Sequence, residues 1–217
     1  MIPLYDTLRS RRFPIINWML IILNGVVFYY ELKLGEEGLF RFIHTWGLVP
    51  SQLASTPAET WLTIFTSMFL HGGWFHILSN MWVLFIFGDN VESRLGSGRY
   101  LLFYLSCGIV AALMQAYLSI TSTTPMIGAS GAIAGVLGAY LVLFPRSRIA
   151  SLVPIFFIFT IVEIPAVIFL GFWFVSQLFS GWQSLHGADM NAVAWWAHIG
   201  GFIFGMITVH LFAQRRY

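Results

Sequence analysis

The sequence is poor in charged residues. Asp, Glu, Lys and Arg make up 9% of its 217 residues, whereas a soluble domain carries roughly 25%. Hydrophobic residues make up 58%, and the mean hydropathy is +0.79. So few charges cannot cover a water-exposed surface, and we therefore expect lipid to surround most of the protein.

Cysteine and clustered positive charge are also scarce. The single cysteine, Cys107, excludes an internal disulfide, and the apolar run around it favours a packing role. The net charge is only +2, and the basic residues form no patch of the kind that nucleic acids bind, so we expect no nucleic-acid partner. We find no cleavable signal peptide and no organelle address, which favours a bacterial plasma (inner) membrane.

Long apolar runs are abundant. A transmembrane helix needs about 20 mostly apolar residues, and six stretches approach that length. They predict an all-α fold, a bundle of six transmembrane helices that forms one domain over residues 1–217. The connection 33–73 mixes aromatic and charged residues, and we expect it to lie in the outer membrane interface. The predicted spans are 14–32, 74–87, 100–118, 130–144, 151–174 and 193–212.

The distribution of arginines predicts the orientation of these spans. Cytoplasmic connections are enriched in Lys and Arg, and with six spans nine of the eleven basic residues fall on one side. Lys33 and Arg41, in the long first connection, are the two exceptions. Both termini should therefore be cytoplasmic. The nine residues are Arg9, Arg11, Arg12, Arg94, Arg99, Arg146, Arg148, Arg215 and Arg216.

Four polar residues of three predicted spans share one depth. At about 1.5 Å per helical residue, Ser130, His198, His76 and Asn80 lie about 21–27 Å from the nearest inner-surface arginine. Polar side chains inside spans are costly and usually face a partner or a cavity. Small residues on spans four and six would let these two helices approach closely. Ser130 and His198 could then form the pair that general-base activation of a hydroxyl requires.

The residues around the serine fit the same chemistry. The stretch Gly128-Ala129-Ser130-Gly131 permits a tight entry into a helix whose free N–H groups would stabilise an oxyanion. His76 and Asn80, four residues apart on one helix face, can add side-chain donors. No carboxylate lies in this layer on spans two, four or six, so the sequence favours a Ser–His dyad. A structural bond between Ser130 and His198, or a helix-pairing role for His76 and Asn80, is the alternative.

Together these motifs resemble the rhomboid family of intramembrane serine proteases. Each motif alone is weak, but the ordered set falls on spans two, four and six, and the six-span topology extends the likeness over nearly the whole chain. The matching stretches are His71-Gly-Gly-Trp-Phe-His76-Ile-Leu-Ser-Asn80, Gly88-Asp-Asn-Val-Glu92, Gly128-Ala-Ser130-Gly131 and Ala197-His198-Ile-Gly-Gly201-Phe-Ile-Phe-Gly205.

The resemblance implies a peptide hydrolase that cleaves transmembrane segments of single-span membrane proteins near their outer end. It implies that Ser130 is the nucleophile, that His198 is the general base and acid, and that His76 and Asn80 form the oxyanion hole. Span five would be a lateral gate, and the loop between spans five and six a cap. We expect no metal and no cofactor.

Two positions depart from the pattern of the family. The first connection lacks the Trp-Arg pair found in many members. Some relatives carry a Tyr one turn after the serine, where it packs under the catalytic histidine, and this chain has Ala134 there. The support for His198 must therefore come from elsewhere.

Other functions fit the sequence less well. A non-catalytic relative that only binds membrane clients would typically lack the serine or the histidine, and both are present. A transporter would favour inverted repeats, and an aspartyl intramembrane protease would need two aspartates in spans. Glu163, in the predicted span five just before Pro165, is either a functional acid or a buried group that satisfies backbone freed by the proline.

Overall fold

The computed structural model describes residues 1–8, 10, 12–155, 158–186 and 193–213. These residues form a helical bundle with a small sheet beside it. The strands are β1 (Ile2–Asp6), β2 (Arg148–Ile155) and β3 (Ile158–Pro165). The helices are α1 (Ile15–Glu31), α2 (Gly35–Trp46), α3 (Pro50–Ser55), α4 (Pro57–Thr60), α5 (Thr63–Thr66), α6 (Trp74–Leu95), α7 (Ser97–Leu118), α8 (Ser130–Leu143), α9 (Ala166–Leu185) and α10 (Trp195–Phe212), with a 3-10 turn at Ser67–Phe69.

The structure has a helix at each predicted span, although not all of these helices are long. Within the described residues, α7, α9 and α10 are long and apolar enough to cross a membrane. The segment Thr63–Phe69 and α6 form a fourth candidate, bent by 93°. The helices α1 and α8 are apolar but shorter. The protein is thus mostly helical with three or four candidate spans, and six crossings stay a prediction.

The predicted fifth span is wrong in its first half. Residues 151–155 and 158–165 belong to the antiparallel strands β2 and β3, and α9 begins only at Ala166. This stretch is rich in β-branched residues, which favour strands. Pro165 has extended backbone angles directly before α9, as is typical of the residue that precedes a helix. The fold is therefore not all-α, and Glu163 lies exposed on a strand opposite Ala150 rather than inside a helix.

The sheet joins two distant parts of the chain. Its order is β1-β2-β3, and both pairs are antiparallel. The carboxylate of Asp6 at the end of β1 accepts hydrogen bonds from Asn90 Nδ2 of α6, at 2.9 Å, and from the Tyr140 hydroxyl of α8. At the same end of the bundle, Arg99 Nη1 donates to the carbonyl of Ala213, 3.3 Å away. The N-terminal strand, the α8–α9 connection and the end of α10 therefore share one end.

The motif Gly88–Glu92 joins α1, α6 and α7 at that end. The Glu92 carboxylate accepts bonds from the backbone N–H groups of Ile16 (3.1 Å) and Asn17 (2.7 Å), which stabilises the N-terminus of α1. Glu92 also accepts a bond from the Ser97 hydroxyl at the start of α7. A Cβ at Gly88 would lie 2.0 Å from Asn17 Oδ1, so only glycine fits there.

The centre of the bundle is the contact between α8 and α10. A Cβ at Gly201 would lie 2.1 Å from the Gly131 carbonyl oxygen, and one at Gly205 equally close to that of Gly135. Glycine at these positions lets the two backbones touch, as expected from the sequence. The contact holds the beginning of α8 against the beginning of α10, where the predicted site lies.

The connection 33–73 consists largely of short helices. It meets the α7–α8 connection at the end of the bundle opposite the sheet, where Leu48 pairs with Met126 and Ser51 N–H donates to the Ser122 carbonyl at 3.0 Å. Its location in the outer membrane interface, and the assignment of residues 1–217 to one domain, stay predictions.

Candidate active site

Ser130 and His198 are in direct contact. Ser130 is the first residue of α8, and His198 lies in the first turn of α10. The Ser130 hydroxyl donates to His198 Nε2, with 2.8 Å between Oγ and Nε2. This is the distance at which an imidazole can accept a proton from a hydroxyl during nucleophilic attack.

The other ring nitrogen of His198 has a partner on α9. His198 Nδ1–H donates to Gln177 Oε1 at 2.8 Å. Because Nδ1 carries the proton in this bond, Nε2 presents its lone pair to Ser130. The bond thus selects the tautomer that a general base needs. The rings of Trp173 and Trp195 flank His198, each with its centroid 6.1 Å away.

His76 presents the opposite tautomer. Its Nδ1 accepts a bond from the Gly72 N–H at 3.4 Å, which leaves the proton on Nε2. A Cβ built on Gly128 would lie 2.6 Å from this Nε2 and 3.7 Å from Asn80 Nδ2. Both side chains therefore point at the turn that leads into Ser130, and Gly128, with φ of +120°, leaves room for them.

Asn80 is held by a chain of buried polar groups. Its Nδ2 donates to His71 Nε2 at 3.1 Å, and the backbone N–H of His71 donates to the Glu31 carboxylate at 3.1 Å. Glu31 is 2% exposed and His71 is 1% exposed. These contacts anchor the amide of Asn80 beside Gly128.

The beginning of α8 adds backbone donors. The first amide bonded within this helix is that of Ile133, which donates to the Ala129 carbonyl at 3.0 Å. By helix geometry, the N–H groups of Ser130, Gly131 and Ala132 then point out of the helix end. Together with the helix dipole, they favour negative charge next to Ser130.

Two cavities adjoin these residues. A cavity of about 350 Å³ with both polar and apolar walls lies between the ends of α7, α9 and α10 and includes His76, Gln115 and Ser184 in its wall. A second, of about 30 Å³, borders Ser130 and is lined largely by small residues, among them Gly108 and Ala112. The first reaches His76 of the site, and the second has room for a small group only.

Several residues of the site were not identified from the sequence. Gln177 supports His198 from α9, and Gln115 Oε1 accepts the backbone N–H groups of Trp196 (3.0 Å) and Ala197 (3.3 Å) at the start of α10. Each is an amide inside an apolar helix, a signal that could have singled them out. His71 precedes the predicted span two, and its bond to Asn80 was not expected. The expected cap loop falls largely on residues 187–192, outside the described ranges, as do Arg9, Arg11, Arg215 and Arg216.

Within the described ranges, no three His, Cys, Asp or Glu side chains come together as a group that could hold a metal ion.

Comparison with known proteins identifies the family. Residues 58–215 match the model of the rhomboid domain. The chain belongs to the rhomboid family. It is 31% identical over 144 residues to the human presenilin-associated rhomboid-like protein, mitochondrial, which covers 64% of this chain and 35% of the relative.

Two further relatives are similar at the same level. The rhomboid protein YdcA of Bacillus subtilis, named as a candidate protease, is 29% identical over 143 residues, which is 65% of this chain and 69% of YdcA. Rhomboid protein 1, mitochondrial, of Saccharomyces cerevisiae is 26% identical over 174 residues, 77% of this chain and 45% of the yeast protein.

The matched region spans about 35% of the mammalian relatives. Because relatives of this rhomboid occur in bacteria and in mitochondria, the bacterial plasma membrane stays a prediction.

Proposed function

We propose that this rhomboid is an intramembrane serine endopeptidase that uses Ser130 and His198 as a catalytic dyad. The observation that carries the proposal is the 2.8 Å bond between Ser130 Oγ and His198 Nε2, formed between two different helices of the bundle. Membership of the rhomboid family supports it, as does the cavity beside His76.

In the first half-reaction, Ser130 Oγ attacks the carbonyl carbon of the scissile peptide bond while His198 Nε2 takes the hydroxyl proton. The carbonyl oxygen becomes an oxyanion. His76 Nε2–H, Asn80 Nδ2–H and the amides at the start of α8 stabilise it by hydrogen bonds. His198 then protonates the leaving amine nitrogen, the C–N bond breaks, and an acyl-enzyme remains on Ser130.

In the second half-reaction, water replaces the amine. His198 Nε2 takes a proton from a water molecule that attacks the acyl carbon, and the same oxyanion hole holds the second intermediate. Return of that proton to Ser130 Oγ releases the new carboxyl terminus. Serine and histidine end in their starting protonation states, so these steps need no metal and no cofactor.

The substrate class is proposed from the resemblance to the family, and the surroundings of Ser130 are compatible with it. A site at the end of a helix in an apolar bundle suits a membrane-protein substrate whose own transmembrane helix unwinds near its outer end. The 30 Å³ cavity beside Ser130 suits a small side chain at the cleaved bond. We propose that the substrate enters beside α9, and that the enzyme acts in a bacterial plasma membrane.

The decisive experiment is labelling and cleavage by the purified protein in detergent. Ser130→Ala should abolish both cleavage of a model transmembrane substrate and labelling by a fluorophosphonate. Ser106→Ala is the matched control, because this helical hydroxyl bonds only to its own helix, at the Leu102 carbonyl (2.7 Å). His198→Ala should behave like Ser130→Ala, and His210→Ala, on the same helix, like the wild type. Full activity of Ser130→Ala would refute the proposal.

A further inference from the structure

We infer that Gln177 is a positioning residue that orients His198 and makes the dyad dependent on the position of α9. The inference rests on the proposed dyad and goes beyond it, because it gives this helix a direct part in activating Ser130. It begins with the 2.8 Å contact between Gln177 Oε1 and His198 Nδ1.

The orientation of the Gln177 amide is fixed by its own helix. Gln177 Nε2 donates to the Trp173 carbonyl at 3.3 Å and to the Ser176 hydroxyl at 3.0 Å. A backbone carbonyl can only accept, so the amide nitrogen must face Trp173 and the oxygen must face His198. The acceptor for Nδ1–H is therefore in place, and it keeps the lone pair of Nε2 on Ser130.

The residue of α8 one turn after Ser130 could not replace the hydrogen bond between Gln177 and His198. The residue one turn after Ser130 is Ala134, which is fully buried and has no polar atom to offer. Gln177 is itself buried, with 6% of its surface exposed. A buried amide is costly unless it is bonded, and here its donors and its acceptor are all used.

Gln177 lies in the middle of the face that α9 packs against the bundle. Below it, the Phe174 ring stacks on Phe202 of α10, with centroids 4.5 Å apart. Above it, a Cβ at Gly181 would lie 3.0 Å from Ile199 of α10. Any displacement of α9 away from α10 therefore breaks the bond to His198. The dyad is aligned only while α9 is packed.

The test is steady-state cleavage of a transmembrane substrate by Gln177→Met, Gln177→Glu and the wild type, from pH 5 to 9. Gln177→Met keeps the volume but removes the acceptor, so kcat should fall by about 10- to 100-fold while KM changes by less than about twofold, the loss typical of an orienting partner. The acid limb of its kcat profile should move to lower pH, because the imidazolium loses its hydrogen-bond acceptor.

Gln177→Glu keeps an acceptor oxygen toward His198 but turns its second oxygen to the Trp173 carbonyl, where the amide donated, so it should restore only part of the kcat lost in Gln177→Met. Its acid limb should lie at or above that of the wild type. The titratable side chain near enough to influence His198 within the described residues is His76 of α6, which is the same in all variants. Gln183→Leu, a substitution further along α9, is the control and should match the wild type.

The outcomes separate the two proposals. An inactive wild type, or an active Ser130→Ala, would remove the dyad itself. An active wild type with Gln177→Met at unchanged kcat and an unmoved acid limb would overturn the role of Gln177. If Gln177→Met does not fold, as judged by its thermal unfolding, Gln177→Ala decides: an unchanged kcat with an unmoved acid limb would also overturn the role of Gln177.

Discussion

At the scale of residues, hydrogen bonds to neighbouring groups hold the two histidines of the site in opposite tautomers. Gln177 Oε1 accepts a hydrogen bond from Nδ1–H of His198, which keeps the proton on Nδ1 and leaves Nε2 free to accept. The Gly72 amide donates to Nδ1 of His76, which leaves Nε2 as a donor. One imidazole can therefore act as base while the other stabilises negative charge, and neither needs a carboxylate partner.

Asn80→Ala tests the oxyanion hole. Removal of one such donor typically costs about 3 kcal/mol of transition-state stabilisation, so we expect kcat to fall on the order of 100-fold with KM nearly unchanged. The measurement is cleavage of a transmembrane substrate. Asn24→Ala makes the same chemical change on α1, where the amide bonds only to its own helix at the Leu20 carbonyl, and should keep its kcat. An unchanged kcat in Asn80→Ala would take this residue out of the hole.

At the scale of elements, the geometry of the dyad depends on the close contact of α8 and α10. The two helices carry Ser130 and His198 at their beginnings, and the glycines that follow set how closely the backbones approach. A side chain at one of these glycines would collide with the backbone of the other helix, which cannot turn away as a side chain can.

Gly205→Ala therefore should destabilise the protein. Its Cβ would lie 2.1 Å from the Gly135 carbonyl oxygen, and overpacking of this kind costs typically 1–3 kcal/mol. We expect a lower Tm in detergent and reduced cleavage, because the helices must separate. Gly171→Ala on α9 is the control, since nothing lies within 4 Å of its added Cβ. Equal Tm values for the two variants would show that the contact tolerates a methyl group.

Apolar runs and arginines were enough to predict where most of the helices lie. The predicted boundaries of spans one, three, four and six differ from α1, α7, α8 and α10 by a few residues at most. The secondary structure of the first half of span five could not be predicted this way, because an apolar, β-branched stretch is compatible with both a helix and a strand. The partner that decides between them is β1, more than 140 residues away.

The same limit applies to the site. Ser130, His198, His76 and Asn80 could be grouped by depth, since depth follows from helix rise alone. Their contacts with Gln177, and of Asn80 with His71, depend on how separate helices are rotated against each other, and the spacing of residues along one chain does not contain that information.

At the scale of the whole molecule, the two ends of the bundle differ in character. One end holds the sheet, the α6–α7 turn and the C-terminal end of α10. The arginines near these elements in sequence are Arg94, Arg99, Arg146 and Arg148. The other holds the first turns of α8 and α10, the short helices of 33–73 and the cavity beside His76. Because β1 and the end of α10 share one end, we expect the chain to cross the membrane an even number of times between them.

This parity can be measured with single cysteines, because Cys107 is fully buried and should stay unlabelled. Thr123→Cys, in the α7–α8 connection, should react with a membrane-impermeant maleimide in intact spheroplasts. Thr7→Cys and Pro145→Cys, at the sheet end, should react only after permeabilisation, since the excess of arginine predicts a cytoplasmic location for that end. All three positions are exposed. Labelling of Thr7→Cys and Thr123→Cys from the same side would contradict the odd number of crossings expected between these two positions, and labelling of Thr7→Cys and Pro145→Cys from opposite sides would contradict the even number expected between those two.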